Sequence, residues 1–496
     1  MSNVRVTYTG LIALIFGLAA MFTTMIFTLI ITRTLTPEEY GTWGIISSML
    51  VYAVAVEPLI GYWIAREIAR KKESGKTGIV TSSFLSVGGI GIYIIFSYIV
   101  GIQSNIDLTI ILLASILIPL RYVNGTLSAI NLSWKPHTMS YALIVQSITQ
   151  IPLTLLFVYF LEWGVAGLIF SVVITQTVAN VMLSIYTKEK IKGIFKKEFT
   201  IKWFKLFWLS LYPSFSGIIF RLDVIIFTLI TGSIMGVAFW SASFAISTVI
   251  SHSALITRAI YPKLLEGSGT KYIQKNFTQF FYFSIPLTIL IITFAKPALF
   301  VLNPNYAEAH IALSFLSVAI FFNTVGAVIE MIIYGNEDVD RFENATFKEF
   351  IKSKLFFMPS LEVIQQSIYI VMLVIGFIIL MPLVSEIELI VFWAILAMII
   401  RIPFTLYKYK LIKKDIKLKL EIKNIFNYTI VSIVVFGSTF IIYQKYLIYT
   451  ETIFVFLPNL LVYVIVSGIG YLIITYFTDL KTKNLFNSII GEMKRK

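Results

Sequence analysis

The sequence predicts an all-α integral membrane protein of about fourteen transmembrane helices, with both termini cytoplasmic. Three observations predict it. Hydrophobic residues make up 58% of the 496 and charged ones 13%, about half the quarter usual in soluble domains. Apolar stretches long enough to cross hydrocarbon, roughly 20 residues each, recur along the whole chain. The basic residues between them fall in alternate gaps.

The first stretch, from Tyr8 to Ile31, is longer than the 7–15 residues of a signal-peptide core and reads as a membrane helix. Thirteen more follow. Spans are expected near 8–34, 41–65, 79–101, 107–131, 138–160, 164–186 and 206–230. The second half continues with 237–258, 277–299, 308–333, 356–381, 388–407, 425–444 and 452–478. Glu57 and Pro58 interrupt the second of these.

Charge orients the chain. With a cytoplasmic N-terminus, 34 of the 40 basic residues fall on the cytoplasmic side, chiefly in Arg66–Lys76, Lys188–Lys205, Arg258–Lys275, Arg341–Lys354, Lys408–Lys423 and the tail from Lys481. The outer turns carry acids instead, among them Glu38, Glu39, Glu162 and Glu388. Omitting one span would invert every later loop, so this regularity supports the division. It also explains the net charge of +14 as orientation and attraction to anionic headgroups. No nucleic-acid partner is expected.

A short repeat suggests two halves. Phe27-Thr28-Leu29-Ile30 recurs as Phe227-Thr228-Leu229-Ile230, late in the first and the seventh span. Each copy precedes a short outer turn and then a glycine and a tryptophan, Gly41 and Trp43 or Gly236 and Trp240. Six spans separate the copies, so the halves run in the same sense, an arrangement that places a substrate site between repeats. The expected lobes are residues 1–200 (helices 1–6) and 201–410 (helices 7–12). Residues 411–496 hold helices 13–14 and a basic tail.

The segment Thr32-Arg33-Thr34-Leu35-Thr36-Pro37-Glu38-Glu39-Tyr40-Gly41-Thr42-Trp43 resembles the first outer turn of polysaccharide-biosynthesis, Wzx-like, flippases of the MOP exporter superfamily. Arg221-Leu222-Asp223, Gly236 to Ala242 and Tyr261-Pro262-Lys263 are similar to the seventh and eighth helices of that family. The resemblance implies two six-helix lobes, alternating access and, as cargo, an oligosaccharide on a polyprenyl or dolichyl diphosphate, in a cell (plasma) membrane. Lipid II flippases of the superfamily carry arginines within the first helix. Gly10 to Ile31 has none, which favours the polysaccharide branch.

Charged residues within spans are costly, about 2.5–3.5 kcal/mol each on insertion scales, and mark a wet cavity or a partner. Arg121, Arg221 and Arg401 are the basic candidates; Glu57, Asp223 and Glu330 the acidic ones. Arginines there suit a diphosphate through bidentate charge-assisted bonds; pairing between helices is the structural alternative. Arg33, Arg66 and Arg258 stand at helix ends, as phosphate-capturing rim residues or as snorkelling side chains. His137, His252 and His310 are too scattered for a metal site, which needs three or four convergent ligands. There is no cysteine, hence no disulfide, thiolate ligand or cysteine nucleophile. No cofactor is expected. The expected partners are the lipid-linked oligosaccharide, membrane lipids and the glycosyltransferases or polymerase of the same pathway, around a monomer.

Two rivals remain. A small-molecule exporter of the MATE type, driven by H⁺ or Na⁺, could use Glu57, Asp223 and Glu330 as cation sites. A membrane polymerase or glycosyltransferase would need sizeable outer loops, and these are short. The chain is therefore not expected to be an enzyme.

Overall fold

The computed structural model describes residues 22–259, 270–335, 347–416 and 420–483. The structure of the described residues is helical throughout, apart from turns. Among the described residues, twelve helices are long and apolar enough to cross a membrane, or thirteen if one bent pair counts as a single span. In chain order we name α1 Phe22–Thr34, α2 Pro37–Ala53, α3 Glu57–Ala69, α4 Gly75–Ser104, α5 Leu108–Trp134, α6 Tyr141–Phe160 and α7 Gly164–Ile191. Then come a short amphipathic α8, Lys197–Lys205, α9 Phe207–Thr231 and α10 Ile234–Thr257. The rest are α11 Ile273–Thr293, α12 Pro304–Tyr334, α13 Lys354–Leu380, α14 Glu386–Lys414, α15 Ile422–Tyr446 and α16 Ile453–Thr478.

These helices fall where the apolar runs lie. Only part of the first expected span, α1, lies within the described residues; 8–21 lie outside them, as do the expected loop residues 260–269, 336–346 and 417–419 and the tail from 484. The second expected span is the bent pair α2–α3, turned by 56°. The cause is local. Pro58 sits in the first turn of α3, and a proline lacks the N–H that would continue the preceding helix. One boundary moves: Lys408, expected to open a cytoplasmic loop, lies inside the helix Glu386–Ile416 and is buried.

The outer turns are fixed by caps. Thr36 accepts the Glu39 N–H at 3.2 Å, and Glu39 accepts the Thr36 N–H at 2.9 Å. This reciprocal box, with Pro37 following, starts α2 as such sequences should. Ser385 and Glu388 repeat the box before α14, with the Ser385 N–H reaching Glu388 at 2.8 Å. Before α10, Ser233 accepts the Gly236 N–H at 3.0 Å and donates to the Glu386 carboxylate. The two copies of the short repeat therefore each lead into a hydroxyl-capped helix. Gly41 and Gly44 lie against Ile234, Val237 and Ser241; a Cβ at Gly41 would meet the Ile234 carbonyl.

By packing, the chain forms two units. Of the described residues, one comprises 22–241 with 347–390, the other 242–259, 270–335, 391–416 and 420–483. In the first, Trp63 and Trp203 share an apolar cluster with Leu59, Ile60 and Ile64. In the second, Tyr282, Tyr428 and Tyr471 pack ring against ring, and the Tyr471 O–H donates to the Tyr282 carbonyl at 3.0 Å. These contacts join α11, α15 and α16.

Candidate substrate site

In the first unit α2–α3, α5 and α9 are interrupted, and at each interruption a tyrosine O–H donates to a backbone carbonyl. In hydrocarbon a carbonyl that loses its helical N–H must find another donor. The Ala53 carbonyl, left by the α2–α3 break, accepts the Tyr122 O–H at 3.2 Å. The Ile218 carbonyl, four residues before Leu222 where α9 restarts, accepts the Tyr52 O–H at 2.7 Å. The Ile111 carbonyl, just before the tight turn Ala114–Ile116 within α5, accepts the Ala114 N–H and, at 2.9 Å, the Tyr93 O–H as well.

Charged candidates cluster at these same breaks. Glu57 opens α3 and Asp223 lies in the first turn of the restarted α9. An acid is favoured there by the positive end of the helix dipole. Asp223 is buried at 1% exposure. It accepts the Tyr369 O–H from α13 at 3.1 Å and its neighbour Val224 N–H at 2.8 Å. Arg221 stands at the junction itself, half-buried, and engages neighbouring groups. A further link joins α9 to α13, Ser216 donating to Glu362 at 2.9 Å.

Glu57 is half-buried and packs over glycines: a Cβ at Gly125 of α5 would meet its carboxylate, and Gly61 lies beside it. Arg121 stands one turn before Gly125, so both lie on one face of α5. Arg121 is half-buried as well. Neither the Arg121 guanidinium nor the Glu57 carboxylate makes a hydrogen bond or ion pair with any described residue. The first unit thus holds one cation and one anion of the same span region, both uncompensated within it.

The other candidates lie elsewhere. Glu330 and Arg401 are in the second unit. Glu330 forms an ion pair with Lys408, and Arg401, buried at 5% exposure, lies two turns before Lys408 on the same face of α14. Between them, Thr405 donates to the Phe322 carbonyl at 3.1 Å. Thr405 also borders an apolar cavity of about 450 Å³ reaching Phe281, Ile285 and Val325. Glu330 therefore has a structural partner. Arg33, in the last turn of α1, is half-buried and engaged with neighbours. Arg66 lies 3.5 Å over the Tyr62 ring. The side chain of Arg258 is outside what the structure describes, as is that of His137. Among the described residues no group of three His, Cys, Asp or Glu could hold a metal.

Several polar residues escaped the sequence reading. Lys408 is seven residues after Arg401, a spacing that puts both on one helix face, but it also looked like the start of a basic loop. Glu67 is buried and paired with Lys202 at 2.9 Å and Lys72 at 3.2 Å; its position among loop lysines concealed it. Tyr52, Tyr93 and Tyr122 have no signature apart from their neighbours in space.

No protein-family model matches the chain, and no curated protein matches its sequence. Solved structures do match its fold. A multidrug-resistance MATE-family transporter of the MOP superfamily, in an inward-facing conformation, aligns with TM-score 0.56 and 15% identity over 81% of this chain and 98% of its own. A MATE protein in a straight conformation aligns with TM-score 0.54 and 15% identity over 82% and 96%. A MOP-superfamily transporter from Pyrococcus furiosus Vc1 (DSM3638), described as having a binding pocket of reverse polarity that suggests a different function, aligns with TM-score 0.53 and 16% identity over 82% and 95%. The fold is that of MATE transporters of the MOP superfamily. At these identities the likeness defines a fold and leaves the cargo to the residues.

Proposed function

We propose that the protein is a multi-pass flippase that carries an oligosaccharide on a polyprenyl or dolichyl diphosphate from the cytoplasmic to the outer leaflet by alternating access. Fourteen spans, cytoplasmic termini and lobes of residues 1–200 and 201–410 belong to the same proposal. The observation that carries it is Arg121: a guanidinium within a span, with no acid or acceptor among the described residues. A cation kept in that state suits an anionic headgroup that arrives and leaves, since an arginine fork binds phosphate oxygens in pairs. The broken helices α2–α3, α5 and α9 support it, because irregular backbone at membrane depth is tolerated where it borders protein or a wet cavity.

One observation favours a second reading. Glu57 is an acid in the same condition, which suits an H⁺- or Na⁺-coupled exporter of cationic small molecules. Lipid analysis of cells lacking the protein separates the two. A flippase leaves a completed lipid-linked oligosaccharide accumulating on the cytoplasmic leaflet. An exporter leaves lipid-linked sugars unchanged, and in liposomes it moves drug and ion without any lipid carrier.

A further inference from the structure

A groove of about 450 Å³ runs along the first unit between α5 and α7. Its α7 wall includes Thr177, Val181, Ser184 and Lys188, residues spaced i, i+4, i+7 and i+11 and hence on one face, with Asn180 and Ile185 beside them. At 1.5 Å per residue this stripe is about 16 Å long, close to half of the roughly 30 Å hydrocarbon thickness. The opposite wall is Pro119, Leu120 and Val123 of α5.

Two of the polar side chains along it are satisfied within the protein. Asn180 accepts from Asn124 at 2.7 Å and donates to the Leu120 carbonyl at 2.9 Å. The Thr177 hydroxyl donates to the Val173 carbonyl at 2.7 Å. An apolar trough results, with Val181 56% exposed in it.

Only one end is charged. Lys188 lines the groove there, is exposed, and makes no hydrogen bond or ion pair with any described residue. At the same end of α7, on another face, Lys190 lies 3.9 Å from the Trp134 ring centroid and Lys135 lies 5.7 Å from it, so an aromatic of the interfacial kind is held among further cations.

We propose that this groove binds one anionic phospholipid, with an acyl chain along Val181 and its phosphate at Lys188. The length matches one leaflet, and an unpaired cation favours a headgroup of net negative charge over a zwitterionic one, whose phosphodiester is offset by its own cation. Arg121 is not among the residues that line this groove. A lysine near the C-terminal end of α7 could instead only complement the helix dipole; in that case lipid identity would not matter.

Native mass spectrometry of the purified chain in detergent, titrated with phosphatidylglycerol and with phosphatidylcholine, tests it. Wild type should retain one phosphatidylglycerol in preference to phosphatidylcholine. Lys188→Ala should lose about fivefold of that preference, the worth of one lysine facing an anionic lipid surface, and Lys188→Arg should keep it. Val181→Trp, at an exposed position, should lower retention of both lipids by filling the trough. Equal retention of the two lipids by wild type overturns the proposal. So does an unchanged preference in a monodisperse Lys188→Ala, or retention of a polyprenyl diphosphate in place of the phospholipid.

Discussion

Lys408 and Glu330 form an ion pair inside the second unit, with side-chain exposures of 5% and 11%. It joins α14 to α12 beside Gly326, where a Cβ would lie 3.7 Å from the Lys408 ammonium. Removing one member of a buried pair strands the other charge, at a cost of about 3–5 kcal/mol. Replacing both by apolar residues of similar volume removes the desolvation cost as well. Lys408→Ala should therefore lower thermal stability in detergent sharply, whereas a Lys408→Met, Glu330→Leu double variant should recover most of it. Equal destabilisation by single and double variants would show that the pair is not what holds the two helices.

The bond from Tyr369 to Asp223 makes a narrower prediction. Tyr369→Phe deletes one hydroxyl and little volume. Because the acceptor is a buried carboxylate, the loss should be about 1.5–3 kcal/mol, the worth of a hydrogen bond to a charged group. Denaturation of the purified variant measures it. A wild-type midpoint would mean that Asp223 is neutral or is served by another donor.

The orientation can be tested within one helix. Glu388 and Lys414 are exposed and stand near opposite ends of α14. The chain has no cysteine, so Glu388→Cys and Lys414→Cys report without background. Glu388→Cys should react with an impermeant maleimide added to intact cells, and Lys414→Cys only after lysis. The reverse pattern would invert every loop.

The helices were legible because period and length speak directly in a membrane chain: apolar runs near 20 residues leave few alternatives. The α2–α3 break was legible in part, from Glu57-Pro58, because a proline's missing N–H is a local property. Its tyrosine was not. Tyr122 is 69 residues from the Ala53 carbonyl it serves, and no local pattern encodes a pairing across that distance. Charge in a span identified Arg121, Arg221, Asp223, Glu57, Glu330 and Arg401 as special, but residue type could not divide them. Glu330 has a partner, Lys408, that resembled loop; Arg121 stands without one among the described residues. That difference lies in packing, and it separates a structural charge from a candidate for binding.

Transport by Arg121 variants is the measurement closest to the central claim. Purified protein in liposomes carrying a short-chain, fluorescent oligosaccharide diphosphate lipid should expose that lipid to an external sugar-modifying reagent faster than empty liposomes. Arg121→Ala should reconstitute normally, since no protein partner is left stranded, yet slow exposure about tenfold or more, as expected for losing charge-assisted bonds to a phosphate. Arg121→Lys should fall between, keeping charge but not the planar fork. Wild-type exposure rates in a well-reconstituted Arg121→Ala variant would contradict the assignment of Arg121 to the diphosphate. Failure of the wild-type protein to expose the lipid at all, with drug and ion flux in its place, would move the chain to the MATE-type reading.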